Sequence, residues 1–501
     1  MGKLKKLMGL MLTLLMIIST VKPTFAQGTS SLTVENTGKT PHKFELYQIF
    51  KGEVSNGENG KLKLSNIEWG NGVKDTKNIS FSGKSTASEI ANSLTGDNVE
   101  QFAKEISTKL QNKVESELVQ PNNSHKFDKL DAGYYLVKDV DASQEAKDKE
   151  NGAYTLYLLK VVGTVTAKTK LDVPKVEKHV KDINDSEAKE YEDWSKTADH
   201  DIGDKVPFKL TGTLPSNFDK YETYKYVFHD EMSKGLTFNQ DSVKVYVDKE
   251  TITSGFAVAT TEKGFTVTLD DLKKITGKTI TKDSVITVEY MATLNEQAVI
   301  GSKGNPNEVY LEYSNNPNKS GDGTGKTPKD KVIVFTYKVI VNKVQPGDRE
   351  NITKPLSGAE FKLEKWNAVK GQYEDSKVAI LNHEKDKFEF KGIDDGKYKL
   401  TETKNPPGFN KIQPIEFIVK ATHDDKKLEL TELNGEKISG EIKFTPNKKE
   451  GSLSTDIVNK QGPELPETGG MGTKIIYTVG TVLVLGGVIY LATKRKLSIN
   501  R

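Results

Sequence analysis

The chain has 501 residues, with 73 lysines and arginines against 70 aspartates and glutamates, seven histidines and no cysteine. A net charge of +3 over that length makes no strong field for nucleic acid, and without cysteine there is neither a disulfide nor a thiol nucleophile. The 29% charged and 8% aromatic content suits soluble, strand-rich domains with solvated faces.

Lys3, Lys5 and Lys6 precede an apolar stretch from Leu7 to Val21, and a small residue, Ala26, follows. Residues 1–26 therefore read as a secretory signal peptide, with Gln27 the start of the mature chain. Export places the protein where disulfides form, so its stability has to come from another source. Removing both terminal targeting segments leaves roughly 440 residues, enough for about three domains.

Residues 30–171 read as a mostly-β domain with some helix. Leu32-Thr33-Val34 and Phe44 to Phe50 are expected strands. From Thr86 to Leu110 the period becomes helical: Thr86 and Glu89 form a capping box, and Val99, Phe102, Ile106 and Leu110 share a helical face. Gly133 to Val137 and Tyr154 to Leu159 return to strand character.

A second unit, 172–337, has short strands at Val243 to Val247, Phe265 to Leu269 and Val285 to Tyr290. Its last strand is expected around Val309 to Tyr313, between turn-rich stretches at Gly301 to Asn305 and Asn315 to Gly325. This spacing indicates a β-sandwich. A third unit, 338–460, runs from Val339-Ile340-Val341 through Phe361 to Leu363, Phe388 to Phe390, Tyr398 to Leu400 and Ile415 to Val419. The fold class is thus mainly β, in tandem sandwich domains. His42, His125, His179, His200, His229, His383 and His423 have no metal-ligand spacing and read as surface residues, so no metal or other cofactor is expected.

The chain ends with Leu465-Pro466-Glu467-Thr468-Gly469, an uncharged apolar run over 475–492, and a basic tail, 493–501, containing Lys494-Arg495-Lys496. The run is long enough to cross a hydrocarbon core, and the basic cluster keeps the tail cytoplasmic. This arrangement resembles the LPxTG cell-wall sorting signal of Gram-positive surface proteins. The resemblance implies that a sortase cysteine attacks the Thr468 carbonyl and releases the chain from Gly469 onward.

Three segments of the third unit resemble the Cna-B-like domains of Gram-positive pilins and adhesins: Leu356 to Phe361, Tyr398 to Phe409, and Asp456 to Lys460. The middle one is similar to the pilin E-box, YxLxETxAPxGY, departing from it at Asn405 and Phe409 and keeping Glu402. Such domains join a lysine and an asparagine side chain in an isopeptide bond with help from an acid, and by position these would be Lys343, Asn459 and Glu402. An amine attacks an amide only when neutral, and burial lowers a lysine pKa while raising that of a carboxylic acid. A protonated Glu402 would then polarise the amide and shuttle protons.

The second unit resembles the isopeptide-forming second domain of backbone pilins, through Val173 to Lys178, Tyr226 to Phe238 and Val309 to Pro317. Alternation puts Val309, Leu311, Tyr313 and Asn315 on one face, which favours Asn315 over Asn316. Lys178 would be its partner and Asp230 the acid, with Glu231 as the other choice. In the first unit no comparable pair is marked, and no such bond is expected there.

Backbone pilins also carry an acceptor lysine near the end of the first domain, in a motif resembling VYPK. Its nearest counterpart is Lys168 in Val165-Thr166-Ala167-Lys168, where Thr-Ala replaces Tyr-Pro, and Lys170 and Lys175 compete with it. Together the resemblances imply a non-enzymatic backbone subunit of a covalent pilus. It would be secreted as a transient membrane-anchored precursor and displayed at the cell wall. The implied partners are a class C pilus sortase, a housekeeping sortase, neighbouring copies of the chain, ancillary pilins, peptidoglycan and a host ligand. The alternative is an unpolymerised wall-anchored or tip adhesin, which needs no acceptor lysine.

Overall fold

The computed structural model describes residues 28, 30–56, 62–140, 143–144, 150–169, 171–187, 193–319, 323–347, 353–462, 479–481 and 483–485. The signal segment, Lys170, the Leu465 to Gly469 motif and most of the apolar run lie outside them. Among the described residues no helix is long and apolar enough to cross a membrane.

Alternating apolar residues build two sheets in the first domain. One has Ser30–Glu35 at its centre, antiparallel to Ser124–Leu130 and parallel to Thr164–Lys168. The other orders Leu62–Trp69, His42–Asn56, Gly133–Asp139 and Leu156–Val161, with Glu115–Val119 also paired to His42–Asn56. The expected helical stretch is two helices, Ala87–Ser93 and Val99–Ile106. Thr86 and Glu89 form the reciprocal capping box. The chain breaks at Thr95-Gly96-Asp97-Asn98 because Asn98 offers an alternative to continued helix. Its side chain donates to Ser93 O at 3.0 Å and accepts from Thr95 N at 2.8 Å. Phe102 then packs on Phe50 and Phe81, with ring centroids 5.6 and 5.2 Å away.

The second domain is a sandwich. Its first sheet runs Trp194–Ser195, Val176–Lys181, Lys205–Gly212, Ile286–Leu294, Leu236–Val247, Glu250–Ile252. The facing sheet runs Thr197–Asp199, Asp330–Phe335, Asn305–Ser314, Tyr226–Met232, Gly264–Leu269, Ala257–Thr260, with Thr324–Lys326 added to Asn305–Ser314. The strand through Val309 is therefore not the last, since Thr324–Lys326 and Asp330–Phe335 follow it. Phe208, Tyr290, Phe228, Phe265, Leu311 and Val332 fill the space between the sheets.

Only Thr336 separates Asp330–Phe335 from Tyr337–Pro346, which opens the third domain. Ile333 and Phe335 pack into the third domain's core, and the buried Thr336 hydroxyl donates to Ile393 O at 3.1 Å. This junction has no slack. In the third domain Tyr337–Pro346 lies between Lys387–Ile393 and the final strand, Ser452–Val458, to which it is parallel. The facing sheet runs Gln372–Val378, Glu360–Asn367, Gly396–Lys404, Ile415–Asp424, Glu429–Ser439.

Candidate cross-linking sites

In the third domain the parallel pairing sets Lys343 opposite Ile457, which brings the lysine side chain to Asn459 just beyond the strand. Lys343 Nζ donates to Asn459 Oδ1 at 2.6 Å and to Ile457 O at 2.8 Å. Asn459 Nδ2 donates to Glu402 Oε1 and Oε2 at 2.9 and 3.1 Å. Glu402 comes from the facing sheet, and its Oε2 also accepts from Ile412 N at 3.0 Å. All three side chains are fully buried. Burial pulls the Lys343 ammonium down to about 8, against the opposing pull of Glu402. A fraction of the amine is thus neutral near neutral pH, with an amide carbonyl already against it.

The second domain builds its site across the two sheets. Lys178, on Val176–Lys181, ion-pairs with Asp230 on the opposite sheet, and its Nζ lies 2.9 Å from the Tyr290 hydroxyl. Tyr290 donates to Asp230 Oδ2 at 2.8 Å and accepts from Asn307 Nδ2 at 2.9 Å. Lys178, Asp230 and Asn307 are buried to 1% exposure or less. Burial pulls Lys178 down to about 8 and pushes Asp230 up, Lys178 opposing the latter. Asp230 Oδ1 and Asn307 Oδ1 are both buried acceptors without a donor. Glu231 points the other way, into an ion pair with Lys329.

The asparagine in this cluster is Asn307, which corrects the sequence expectation of Asn315. The two share the inward face, since Asn305, Asn307, Val309, Leu311 and Tyr313 alternate with half-buried residues. Eight residues, however, carry Asn315 roughly 25 Å along the strand. There it sits at the joint with the first domain: its Nδ2 donates to Gln144 O at 3.3 Å and its carbonyl accepts from Tyr154 N at 2.9 Å. Asn316 caps a turn, accepting from Asn318 N at 3.0 Å.

Lys168 ends the Thr164–Lys168 strand with its side chain 70% exposed, 2.9 Å from Glu35 Oε2. Lys175 is also exposed. No lysine of the first domain is among the buried residues described. The surface reading of the histidines fails for His42 and His200, each 1% exposed. Both are held by polar partners, His42 by Asp139 at 2.7 Å and His200 by Lys181 O at 2.9 Å.

Sequence reasoning also missed the carboxylates at the joint of the second and third domains. Lys365 lies 2.6 Å from Asp394, 3.0 Å from Asp201 and 3.5 Å from Asp185. Ligand atoms of Asp182, Asp199 and His423 come within 4.8 Å of one another. His423 Nε2 is already engaged by the Tyr337 hydroxyl at 2.8 Å, so this group reads as part of the interdomain hydrogen-bond network.

Residues 202–317 match the family described as Gram-positive pilin backbone subunit 2, Cna-B-like domain, and residues 338–434 match a prealbumin-like fold domain. The trypsin-resistant surface T6 protein of Streptococcus pyogenes serotype M6 is 27% identical over 365 residues, 59% of this chain and 65% of the relative. The chain therefore spans just under two thirds of that relative's length. The solved structure of the T6 backbone pilin of the same serotype is 19% identical, with a TM-score of 0.54 over 88% of this chain and 100% of the other, a likeness of fold. The full-length major pilin SpaD of Corynebacterium diphtheriae gives 15% identity and a TM-score of 0.49, over 87% of this chain and 98% of that one. The second domain thus matches the Gram-positive pilin backbone family and the third a prealbumin-like fold.

Proposed function

We propose that this chain is the backbone subunit of a covalent surface pilus, with its second and third domains each locked by an internal Lys–Asn isopeptide bond. The observation that carries the reading is the pair of buried lysine–acid–asparagine clusters in consecutive domains. In each, the neutral lysine Nζ attacks the asparagine Cγ. A new C–N bond forms, the old C–Nδ2 bond breaks, and the acid carries a proton from Nζ to the departing nitrogen, which leaves as ammonia. Glu402 already touches that nitrogen in the third domain. In the second, a proton on Asp230 is the donor that the two orphaned acceptors, Asp230 Oδ1 and Asn307 Oδ1, lack. Each reaction turns over once, so it is self-modification. Holding the groups in contact supplies the rate by removing the entropic cost of encounter.

Between subunits, a pilus-specific sortase would cleave after Thr468 and pass the acyl group to Lys168 of the next copy. A housekeeping sortase would attach the last subunit to peptidoglycan. An exposed lysine at the end of a strand, near the boundary of the first domain, is accessible to such an enzyme. Mass spectrometry of peptides from purified native pili tests the whole scheme. It should find branched peptides joining 178 to 307, 343 to 459 and Thr468 to a lysine of a second copy. Unbranched peptides throughout would overturn it.

A further inference from the structure

The first domain has a buried polar group that neither cross-linking cluster uses. Thr40 sits just before the strand His42–Asn56, and Asp139 ends Gly133–Asp139. His42 Nδ1 lies 2.7 Å from Asp139 Oδ2, which fixes the proton on Nδ1 and leaves Nε2 as an acceptor. Nε2 faces the Thr40 hydroxyl at 3.3 Å. That hydroxyl is in turn 2.7 Å from the side-chain Oε1 of Gln144, 104 residues away in sequence. Hydroxyl, imidazole and carboxylate thus stand in the order of a nucleophile, its base and the base's orienting group. A carboxamide carbonyl is already in contact with the nucleophile.

The site is buried and held on every side. Thr40, His42, Asp139 and Gln144 are 7, 1, 3 and 0% exposed. His42 stacks on Phe44 with ring centroids 5.6 Å apart. Asp139 also accepts from Thr155 N at 3.2 Å and Ser143 Oγ at 3.3 Å, so it cannot swing away freely. The amide of Gln144 is held on its other side, where Nε2 donates to Pro41 O at 2.8 Å. A side chain at position 38 would collide with this arrangement: a Cβ there would lie 2.7 Å from Leu171 and 3.2 Å from His42 Nε2. Gly38 is what lets the imidazole lie where it does.

We infer that Thr40 and Gln144 become joined by an ester bond, made by the Thr40–His42–Asp139 triad acting on the Gln144 carboxamide. His42 Nε2 takes the Thr40 proton as Oγ1 attacks Gln144 Cδ. The tetrahedral adduct then collapses, the Cδ–Nε2 bond breaks, and the proton on His42 passes to the departing nitrogen, which leaves as ammonia. Thr40–OH and Gln144–CONH2 give Thr40–O–CO–Gln144 and NH3, with no oxidant, reductant or third reactant. Thr40, His42 and Gln144 touch the reacting atoms, while Asp139 is a positioning residue.

Such a link has a mechanical place. Gln144 is the residue whose carbonyl Asn315 of the second domain grips, and Gly152 O accepts from the Tyr313 hydroxyl at 3.3 Å beside it. The ester would fasten the segment that docks the second domain directly to the start of a core strand of the first. Each of the three domains would then contain one covalent clasp formed by losing ammonia.

Peptide mapping and intact mass of the full soluble chain test this, because an ester and an isopeptide differ chemically. The expected result is a cross-linked peptide joining 40 to 144 and a third ammonia loss beyond the two assigned to lysines. Neutral hydroxylamine should cut this link alone, leaving a hydroxamate at 144 and both isopeptides intact. Thr40→Val, which keeps the shape without the nucleophile, should abolish the 40–144 peptide and retain the lysine links. Asp139→Asn should slow linking of the folded chain by orders of magnitude at unchanged near-ultraviolet circular dichroism, whereas a merely structural carboxylate would change the spectrum and not that rate. Wild-type peptides of 40 and 144 recovered separately at full mass would overturn the inference, as would an ammonia loss in this domain that survives Thr40→Val.

Discussion

Asn307 reaches the Tyr290 hydroxyl at 2.9 Å, and the same hydroxyl lies 2.9 Å from Lys178 Nζ. Tyr290 thereby holds the amine and the amide on one atom while its own proton goes to Asp230. Its ring is clamped by Phe208, Phe238 and Phe265, with centroids 5.3, 5.9 and 4.7 Å away. The geometry of the cluster is therefore set by core packing.

The first prediction separates the two asparagines. Asn307→Ala should remove one ammonia loss from the intact mass, and Asn315→Ala should leave that loss in place. The second change instead deletes the contact with Gln144 O, so it should raise proteolysis at the joint of the first two domains. Tyr290→Phe keeps the packing and loses the shared hydroxyl. It should still form the bond, about 10²-fold more slowly, the cost of removing one preorganised donor, read from mass against time after expression.

The second prediction concerns stability. Lys343 and Asn459 are 116 residues apart in sequence, so a covalent bond between them would close almost the whole third domain. A cross-link closing a loop of that order is worth about 5 kcal/mol by the loss of chain entropy in the unfolded state. Glu402→Gln should leave the lysine and asparagine unlinked and cost about that much in denaturant unfolding. Lys343→Met combined with Glu402→Gln, which removes both the buried cation and the buried acid, should lose the bond yet be less destabilised than Glu402→Gln alone, since no uncompensated charge remains in the core. Equal losses for the two variants would contradict this account.

Much of this was legible in the sequence for identifiable reasons. The tandem β architecture follows from short alternating runs, and the third-domain trio follows from the E-box segment, where Glu402 alternates inward with Tyr398 and Leu400. The Asn307 site was hidden by local chemistry. Asn305-Pro306-Asn307 follows a glycine-rich stretch and reads as turn, yet Asn305 bonds to Val299 and Val334 O and starts the strand. Parity alone admits both 307 and 315. Only the register pairing Asp230 with Val309 and Met232 with Asn307 brings the 307 amide, and not the 315 amide, to the level of the acid. The Thr40–His42–Asp139–Gln144 group was invisible because its members converge from opposite ends of a domain. No spacing rule links them.

The third prediction follows from the carboxylates at the second joint. Burial, reinforced by Asp199, raises Asp182 to about 7 and Asp395 to about 9, from an ordinary value of 3.8. Each therefore keeps a proton in the folded chain at pH values where the unfolded chain has lost it. Stability contributed by this joint should be full below about pH 4 and fall as pH rises through about 7 and on towards 9. Asp182→Asn and Asp395→Asn should each flatten that fall. Each should raise the melting temperature at pH 8 by a few degrees, the equivalent of about 1 kcal/mol in a domain of this size, with little change at pH 4. Thermal melts of the soluble region at the two pH values decide it, and an unchanged pH dependence would contradict the argument.

The last prediction concerns polymerisation. Thr164–Lys168 is an edge strand, parallel to Ser30–Glu35 and ending in register with Glu35. Lys168 Nζ, paired with Glu35 at 2.9 Å, is largely exposed. The ion pair is a surface one, worth at most about 1 kcal/mol, so it orients the amine at little cost to its release. Lys168→Ala should abolish the high-molecular-weight ladder on denaturing gels and leave wall-anchored monomer, because the proposed anchoring step would use a peptidoglycan amine instead. Lys168→Arg should do the same while keeping the charge, which separates loss of the nucleophile from loss of the ion pair. Glu35→Gln should leave the ladder largely intact. If the ladder survives both lysine substitutions, Lys175 and Lys170 are the next residues to replace. Survival without all three would remove the acceptor from this segment altogether.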